Sequence, residues 1–232
     1  MTPAGGPVFR SIGTQSTLRD KVSEALRSAL ITGDMEPGVV YSARLLATEL
    51  GVSATPVREA MLELVREGLV EVVRNTGFRV TEPTDTDLDN IVELRLLIEV
   101  PIMGAVAAAC EGELARSVAE LGPLAHQLTA AADVGDLRSY IRIDTEFHTR
   151  FLALHGNPRI TDEVRMLRGH SRLYGLQSLA ASGALVPTTY EHQQMIDLAL
   201  ARDRTAMEAL VRTHIGHVRR EWAAQPRRRT TR

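Results

Sequence analysis

The chain has 232 residues, a formal net charge of −2 and one cysteine. This length accommodates two ordinary domains, and the near-neutral charge excludes a protein that binds nucleic acid through an overall basic surface. The lone Cys110 excludes an internal disulfide and is typical of a reducing cytoplasm, where we expect a buried and unreactive thiol. The sequence has no apolar stretch long enough to span a membrane and no signal-peptide pattern at its start.

Two segments at the ends of the chain are predicted to be disordered from their composition. They are residues 1–14 and the Arg-rich residues 225–232. A polar, proline-bearing stretch at 81–85 predicts a linker, since proline and short polar side chains favour loops. We therefore expect a first domain at 15–82 and a second domain at 83–224.

The first domain contains a pattern typical of a helix-turn-helix. Residues 18–31 carry one apolar stripe, which predicts an amphipathic helix before the motif. Residues 43–62 (ARLLATELGVSATPVREAML) then predict two short helices joined at Gly51, whose missing Cβ permits the positive φ of a sharp helix exit. Thr55 and Arg58 should face outward from the second of these helices. The first should bury Leu45, Leu46, Ala47 and Leu50.

A short β-hairpin is predicted to follow the motif. Residues 70–80 (VEVVRNTGFRV) place β-favouring residues on both sides of a polar turn at 75–77. Three helices and a hairpin together make a winged helix-turn-helix, the arrangement that lays one helix in a DNA major groove. Arg74 and Arg79, beside the turn, are candidates for contact with phosphates or the minor groove.

Beyond the linker the sequence favours helices throughout. It shows no strand-like alternation and no glycine-rich phosphate loop, so we predict an all-α helical bundle. The fold class is therefore mainly α, with a small β-hairpin wing in the first domain. Helices are expected at 86–111, 113–132, 135–155, 158–181, 188–202 and 204–224.

Four side chains of the second domain form a pattern typical of a metal site. Asp144 and His148 are four residues apart, so they project from one face of a helix. His192 and His214 flank a tight turn at 202–203 at similar distances, so an antiparallel helical hairpin would place them at the same height. Three imidazoles and one carboxylate suit a divalent transition metal with positions left open for a ligand. Each histidine alone would more often be an ordinary core or surface residue.

The first domain resembles a known family. Residues 17–81, which include ITGDMEPG and LATELGVSATPVREAMLELVREGLVEVVRNTGFRV, are similar to the DNA-binding domain of GntR-family bacterial transcription regulators of the FadR-like branch. The resemblance implies that Arg44, Thr55 and Arg58 contact DNA, and it matches Gly77 to the glycine of the wing.

The second domain resembles the FCD effector domain of the same branch. The matching pieces are LRLLIEVPIMGAVAA, DTEFHTRFLALHGNPRI and YEHQQMIDLALARDRTAMEALVRTHI. Many members bind a metal with an aspartate, a histidine four residues on and two histidines from the last helices. The corresponding residues here are Asp144, His148, His192 and His214. The resemblance implies zinc, with nickel or manganese as alternatives.

The resemblance also implies an effector beside the metal, in this family typically a small organic acid. An arginine would balance the charge of the acid, and Arg95 is the first candidate, with Arg168 and Arg172 next. Arg95 is explained equally well by a salt bridge to Glu99, four residues on.

These observations predict a cytoplasmic, ligand-responsive transcription regulator that is not an enzyme. A homodimer would bind a palindromic operator on double-stranded DNA, and a small organic acid at the metal site would modulate the affinity for DNA. A regulator that senses the metal alone is an alternative. A metal-dependent enzyme fused to a DNA-binding head is a second alternative, disfavoured because no further carboxylate or nucleophile is visibly placed beside the ligands. No contact with a membrane is expected.

Overall fold

The computed structural model of the chain describes residues 17–82, 84–172 and 185–217. The segments predicted to be disordered, 1–14 and 225–232, lie outside these residues. The helices are α1 (Leu18–Thr32), α2 (Ala43–Leu50), α3 (Ala54–Arg66), α4 (Asp85–Ala108), α5 (Gly112–Ala119), α6 (Gly122–Asp133), α7 (Leu137–Ala153), α8 (Pro158–Arg172), α9 (Leu185–Leu200) and α10 (Arg204–His217). The strands are β1 (Val40–Tyr41), β2 (Val70–Val73) and β3 (Gly77–Val80). The fold is therefore mainly helical, with one small sheet.

The first unit is a winged helix-turn-helix, as the sequence predicts. Helix α1 begins at a capping box, in which the Thr17 hydroxyl accepts the backbone N–H of Asp20 and the Asp20 carboxylate accepts that of Thr17. Helix α2 ends at Gly51, whose φ of 65° is the left-handed conformation expected of it. Helix α3 packs against α1 and α2. Its Met61 and Leu64 are fully buried in the core of this unit, so the motif has the support that a DNA-binding helix needs.

Helix α2 buries a narrower face than predicted. Leu46 and Ala47 are buried, but Leu45 and Leu50 are 50% and 36% exposed. The buried residues form one stripe together with Ala43, and Leu45 lies off that stripe. Leu50 is the last helical residue, where the end of an eight-residue helix leaves one side open. The prediction that all four apolar residues are buried was therefore wrong for two of them.

The sheet of the wing has three strands, although the sequence predicts two. Strand β3 pairs with β2 and also with β1, and both pairings are antiparallel. A strand of two residues carries no alternating pattern, so only its pairing partner defines β1. Gly77 lies at this junction, and a Cβ there would collide with the carbonyl oxygen of Tyr41. The glycine therefore allows β1 and β3 to approach each other.

The second unit is an all-α bundle with its own core. All of the helices from α4 to α10 contribute buried apolar residues, and Phe147 and Phe151 of α7 are among the largest. Helix α4 begins at a capping box between Thr84 and Asp87, directly after the predicted linker. Cys110 is buried, and burial raises the pKa of its thiol.

The helix predicted at 113–132 is two helices, α5 and α6. The break falls at residues 120–121, immediately before Gly122 and Pro123. Proline has no N–H to donate and restricts the residue before it. It therefore fits the first turn of a new helix better than the interior of a long one.

Helices α9 and α10 form the hairpin that the sequence predicts. A short turn joins them, in which Arg202 has a φ of 59°. Helix α9 begins at Leu185 and keeps Pro187 in its first turn, where the sequence predicts a break. The predicted helix ends at 181 and 224 lie outside the described residues. Within the described ranges, none of the helices combines the length and the apolar character needed to cross a membrane.

Candidate metal centre and DNA-binding surface

Three helices bring the four predicted metal ligands together. Asp144 and His148 project from α7, His192 comes from α9 and His214 from α10. One ligand atom of each residue lies within 4.8 Å of those of the other three. The first three side chains are buried, and that of His214 is nearly so. The spacing of four residues on α7 and the turn between α9 and α10 together account for this convergence.

The distances within the cluster suit ligands of one ion. Nε2 of His148 and Nε2 of His192 are 3.1 Å apart, and Nε2 of His192 lies 3.2 Å from Oδ1 of Asp144. Ligand atoms about 2.0–2.1 Å from a shared zinc ion stand roughly 3 Å from one another. These separations are therefore those of a coordination shell as well as those of hydrogen bonds.

The hydrogen bond behind His192 leaves Nε2 directed at the cluster and is compatible with a coordination shell. Nδ1 of His192 lies 3.0 Å from the carbonyl oxygen of Thr189, and a carbonyl only accepts, so Nδ1 carries the proton. If Nε2 carries no proton, its lone pair faces Oδ1 of Asp144. Two acceptors at 3.2 Å would repel, so either a proton on Nε2 or a metal ion between the two atoms stabilises this contact. The residues present therefore fit a bound metal ion.

Burial favours the neutral form of two of the histidines. It holds the pKa of His148 well below the ordinary value, and the positive charge of Arg168 acts in the same direction. Burial also lowers the pKa of His214 to about 4, although the hydrogen bond to Glu191 opposes the shift. A metal binds the lone pair of a neutral imidazole, and these two rings are in that neutral form at neutral pH.

Two buried arginines connect the cluster to α4. Arg168 donates to Oδ2 of Asp144 and to Oε2 of Glu99, each at 2.9 Å. Arg95 donates to Oε1 of Glu99 at 2.6 Å and to the hydroxyl of Ser171 at 3.4 Å. Burial raises the pKa of Glu99, but the charges of Arg95 and Arg168 outweigh it and leave this pKa below the ordinary value. Two guanidiniums and two carboxylates thus cancel in charge inside the bundle.

The fold uses the three candidate effector arginines differently. Arg95 is paired with Glu99, as the salt-bridge interpretation requires. Arg168 keeps one buried donor, Nε, without a partner among the described residues. Arg172 ends α8, and its side chain lies outside the described part of the chain. Arg168 therefore combines contact with a predicted metal ligand and unused capacity to donate a hydrogen bond.

The side chains predicted to contact DNA are exposed on the first unit. They are Arg44 of α2, Thr55 and Arg58 of α3, Arg74 of the wing turn and Arg79 of β3. Arg79 also lies 2.8 Å from Glu71 on the neighbouring strand. Gly77 lies in the same wing, where it allows the close approach of β1 and β3.

Two family comparisons cover most of the chain. Residues 18–80 match the bacterial regulatory proteins of the gntR family, and residues 90–217 match the FCD domain. The second match alone spans more than half of the chain. The chain belongs to the GntR family and carries an FCD domain. The resemblance found in the sequence is thus confirmed.

Relatives of this GntR-family chain are named as transcriptional regulators. An uncharacterized HTH-type transcriptional regulator in an unstable DNA locus of Streptomyces ambofaciens is 28% identical over 206 residues, which cover 86% of this chain and 82% of the relative. The regulator McbR of Escherichia coli is 31% identical over 147 residues, or 63% of this chain and 65% of McbR. The solved structure of E. coli McbR/YncC shares the fold, with a TM-score of 0.74 at 24% identity over 88% of this chain and 95% of that one. The chain is therefore a transcriptional regulator and not an enzyme.

In this GntR-family regulator, two residues outside the predicted ligand set, Glu191 and His217, extend the cluster through hydrogen bonds. Oε2 of Glu191 lies 2.7 Å from Nδ1 of His214, and Oε1 lies 2.8 Å from Nε2 of His217. Glu191 directly precedes the predicted ligand His192, and this adjacency in the sequence indicates that Glu191 lies near the cluster. Its direction toward α10 depends on how the two helices pack, so the adjacency alone does not reveal the contact.

The remaining histidines lie outside the cluster. His126 and His155 are exposed. His170 of α8 contacts the carbonyl oxygen of Glu67, the residue that caps the C-terminal end of α3. Helix α8 therefore touches the buried ion pairs through Arg168 and the end of the DNA-binding helix through His170.

Proposed function

We propose that this regulator is cytoplasmic, contains a metal and responds to a small organic acid. A homodimer binds a palindromic operator through its two winged helix-turn-helix units, and the acid at the metal changes the affinity for DNA. One observation carries the proposal. The chain joins a DNA-binding unit to a buried cluster that consists of Asp144, His148, His192 and His214.

Zinc is the proposed metal, with nickel or manganese as alternatives. Three imidazole nitrogens and one carboxylate oxygen fit the borderline-soft Zn²⁺ ion. Imidazole also suits nickel, whereas manganese prefers a larger share of oxygen ligands, which the acid itself would supply.

The charge of the cluster supports an anionic effector. The buried ion pairs that link Arg95 and Arg168 to Glu99 and Asp144 sum to zero charge. A divalent ion would leave an excess of positive charge in the bundle, where uncompensated charge is costly. An organic acid would offset that charge, and Nε of Arg168, which lacks a hydrogen-bond partner among the described residues, is a candidate donor to it.

Helix α8 is the proposed connection between the metal site and the DNA-binding unit. Arg168 contacts Asp144, and His170, two residues on, contacts the backbone of Glu67. A ligand that favours one position of Asp144 would favour one position of α8, and this preference would reach the end of α3.

An exposed apolar face supports the homodimer. Leu94 and Leu97 of α4 are 47% and 66% exposed, and Leu97 borders a groove between α4 and α8. Apolar lining of this groove includes Ile98, Pro101, Ile102 and Ile160. Arg159 and Glu163 also line it, and the described residues provide neither with an ion-pair partner. A two-fold axis that crosses α8 between these two residues would place Arg159 of one protomer opposite Glu163 of the other, which would make the face complementary to itself.

Leu97→Glu is expected to convert the dimer into monomers, because a carboxylate buried at an apolar interface loses its hydration. Operator affinity should fall roughly 100-fold, since two linked heads gain avidity that single heads lack. Analytical ultracentrifugation and DNA titration measure the two effects. Val134→Glu is the control, since Val134 is 79% exposed on the turn before α7. A Leu97→Glu variant that stays dimeric assigns the interface to another face.

Arg58→Ala is expected to lower the affinity for the operator by about 1–3 kcal/mol if Arg58 makes a bidentate contact with a base. Arg44→Ala should weaken binding to all sequences and reduce the dependence on salt if Arg44 contacts a phosphate. DNA selected from a random pool by the parent protein serves as the operator. Arg116→Ala, at an exposed arginine of α5, is the control. Unchanged affinity in both test variants would remove the assigned DNA surface.

A regulator that senses the metal alone is the second candidate. The pairing of Arg95 with Glu99 favours the metal sensor, because an arginine whose charge is already neutralised is not available to bind an organic acid. Operator affinity is measured for metal-free protein, then with Zn²⁺, and then with Zn²⁺ and a panel of small organic acids. A full response to Zn²⁺ alone supports the metal sensor, and a response that requires an acid supports the ligand-responsive regulator.

A further inference from the structure

The histidines of the cluster differ in what lies behind the ring. Nδ1 of His192 faces a neutral backbone carbonyl, and the buried Nδ1 of His148 has no hydrogen-bond partner among the described residues. Nδ1 of His214 instead lies 2.7 Å from the carboxylate of Glu191. His214 is therefore the ring with an ionisable partner on the side away from the cluster.

We propose that Glu191 is a positioning residue of the metal site. It accepts the Nδ1–H of His214 and thereby fixes the tautomer that presents Nε2 to the ion. This inference rests on the proposed metal-binding function and extends it to a residue that does not touch the metal. A carboxylate in this position also raises the basicity of the coordinating nitrogen, which strengthens its bond to a metal.

Hydrogen-bond chemistry determines the tautomer of His214. Nδ1 of His214 lies 2.7 Å from a carboxylate oxygen, and an ionised carboxylate can only accept a hydrogen bond. The proton therefore lies on Nδ1, and the lone pair of Nε2 is left for the cluster. The ring centroids of His148 and His192 are 5.1 Å and 5.0 Å from that of His214, so His214 stands beside both.

His217 holds Glu191 in this orientation. Its Nε2 lies 2.8 Å from Oε1 of Glu191, so the two carboxylate oxygens have separate histidine partners. Each oxygen of the Glu191 carboxylate therefore has one fixed hydrogen-bond direction, toward His214 or toward His217. A glutamate side chain is ordinarily ionised at neutral pH, so both oxygens act as acceptors. A chain of three side chains thus runs inward from the partly exposed His217 through Glu191 to His214.

Metal affinity separates positioning from other roles. Zn²⁺ binding is measured by competition with a chromophoric chelator for the parent, Glu191→Ala and Glu191→Gln. Glu191→Ala should bind Zn²⁺ about 10–100-fold more weakly, the usual cost of losing such a partner. Glu191→Gln should lose less, since its amide oxygen can still accept the Nδ1–H of His214. Asp197→Asn removes one carboxylate from the exposed side of the same helix and should bind like the parent.

A second readout needs no metal. In the metal-free parent, ¹⁵N NMR of the imidazoles should show the proton of His214 on Nδ1, and Glu191→Ala should shift the ring toward a mixture of tautomers. Equal Zn²⁺ affinity and the same tautomer in parent and Glu191→Ala would overturn the proposal, even if the variant melts at a lower temperature. That result would mean that Glu191 only ties α9 to α10. If the parent binds no Zn²⁺, the proposed function fails, while the tautomer still decides whether Glu191 orients His214.

Discussion

His192→Ala is expected to lose the divalent ion that we propose for the parent chain. His192 contributes a fully buried ring at the centre of the cluster, 3.1 Å from His148 and 3.2 Å from Asp144. Loss of a direct ligand should cost at least roughly 100-fold in affinity, the upper end of what the loss of a partner behind a ligand costs. Elemental analysis of purified protein after reconstitution with Zn²⁺ measures the effect.

The same loss is expected for His148→Ala and His214→Ala, whereas His126→Ala should retain the metal because His126 is exposed on α6. Thermal unfolding gives an independent measure. Zn²⁺ at 100 times its dissociation constant should stabilise the parent by about 2.7 kcal/mol through mass action, and the three cluster variants should lose that increment. Equal metal content in all four variants would defeat the site.

Arg95→Ala is expected to lower the free energy of unfolding by about 3–5 kcal/mol, because it leaves a buried carboxylate without one of its counter-charges. Arg95 and Glu99 are almost completely buried, and Glu99 then depends on Arg168 alone. Chemical denaturation of metal-free protein measures the loss, so that metal binding does not contribute to it.

An exposed Arg–Glu pair provides the matched control. Arg116 and Glu113 lie within one helix with side chains 76% and 83% exposed, so Arg116→Ala should cost no more than about 1 kcal/mol. The double variant Arg95→Met/Glu99→Gln should recover part of the loss, since it removes the uncompensated charge together with its partner. Equal costs for Arg95→Ala and Arg116→Ala would show that the buried pair contributes little to stability.

The fold and the metal cluster were predictable where the signal is local or repeats along the chain. Apolar spacing and the glycine at 51 indicate the helix-turn-helix, and both are properties of neighbouring residues. The cluster follows from two short-range relations. Asp144 and His148 share one helix face, and His192 and His214 flank one tight turn. Once the helices form, these relations bring the side chains close without detailed knowledge of the packing.

The partners of those side chains were not predictable in the same way. Arg168 reaches Glu99 from 69 positions away, and Arg95 reaches Ser171 from 76. Such contacts depend on how each helix is rotated about its axis against its neighbours, which helical periodicity does not specify. The rotation of α9 about its axis likewise directs Glu191 toward His214, and the rotation of α2 leaves Leu45 exposed.

The class of the protein, the order of its main elements and the identity of the four clustered residues could thus be predicted from the sequence. The pairing of Arg95 inside the bundle, the contact of Glu191 with His214 and the strand β1 depend on how distant segments pack. The physical reason is the range of the interactions. Capping, turns and periodicity act over a few residues, whereas ion pairs and strand pairing between distant segments exist only after the chain has packed.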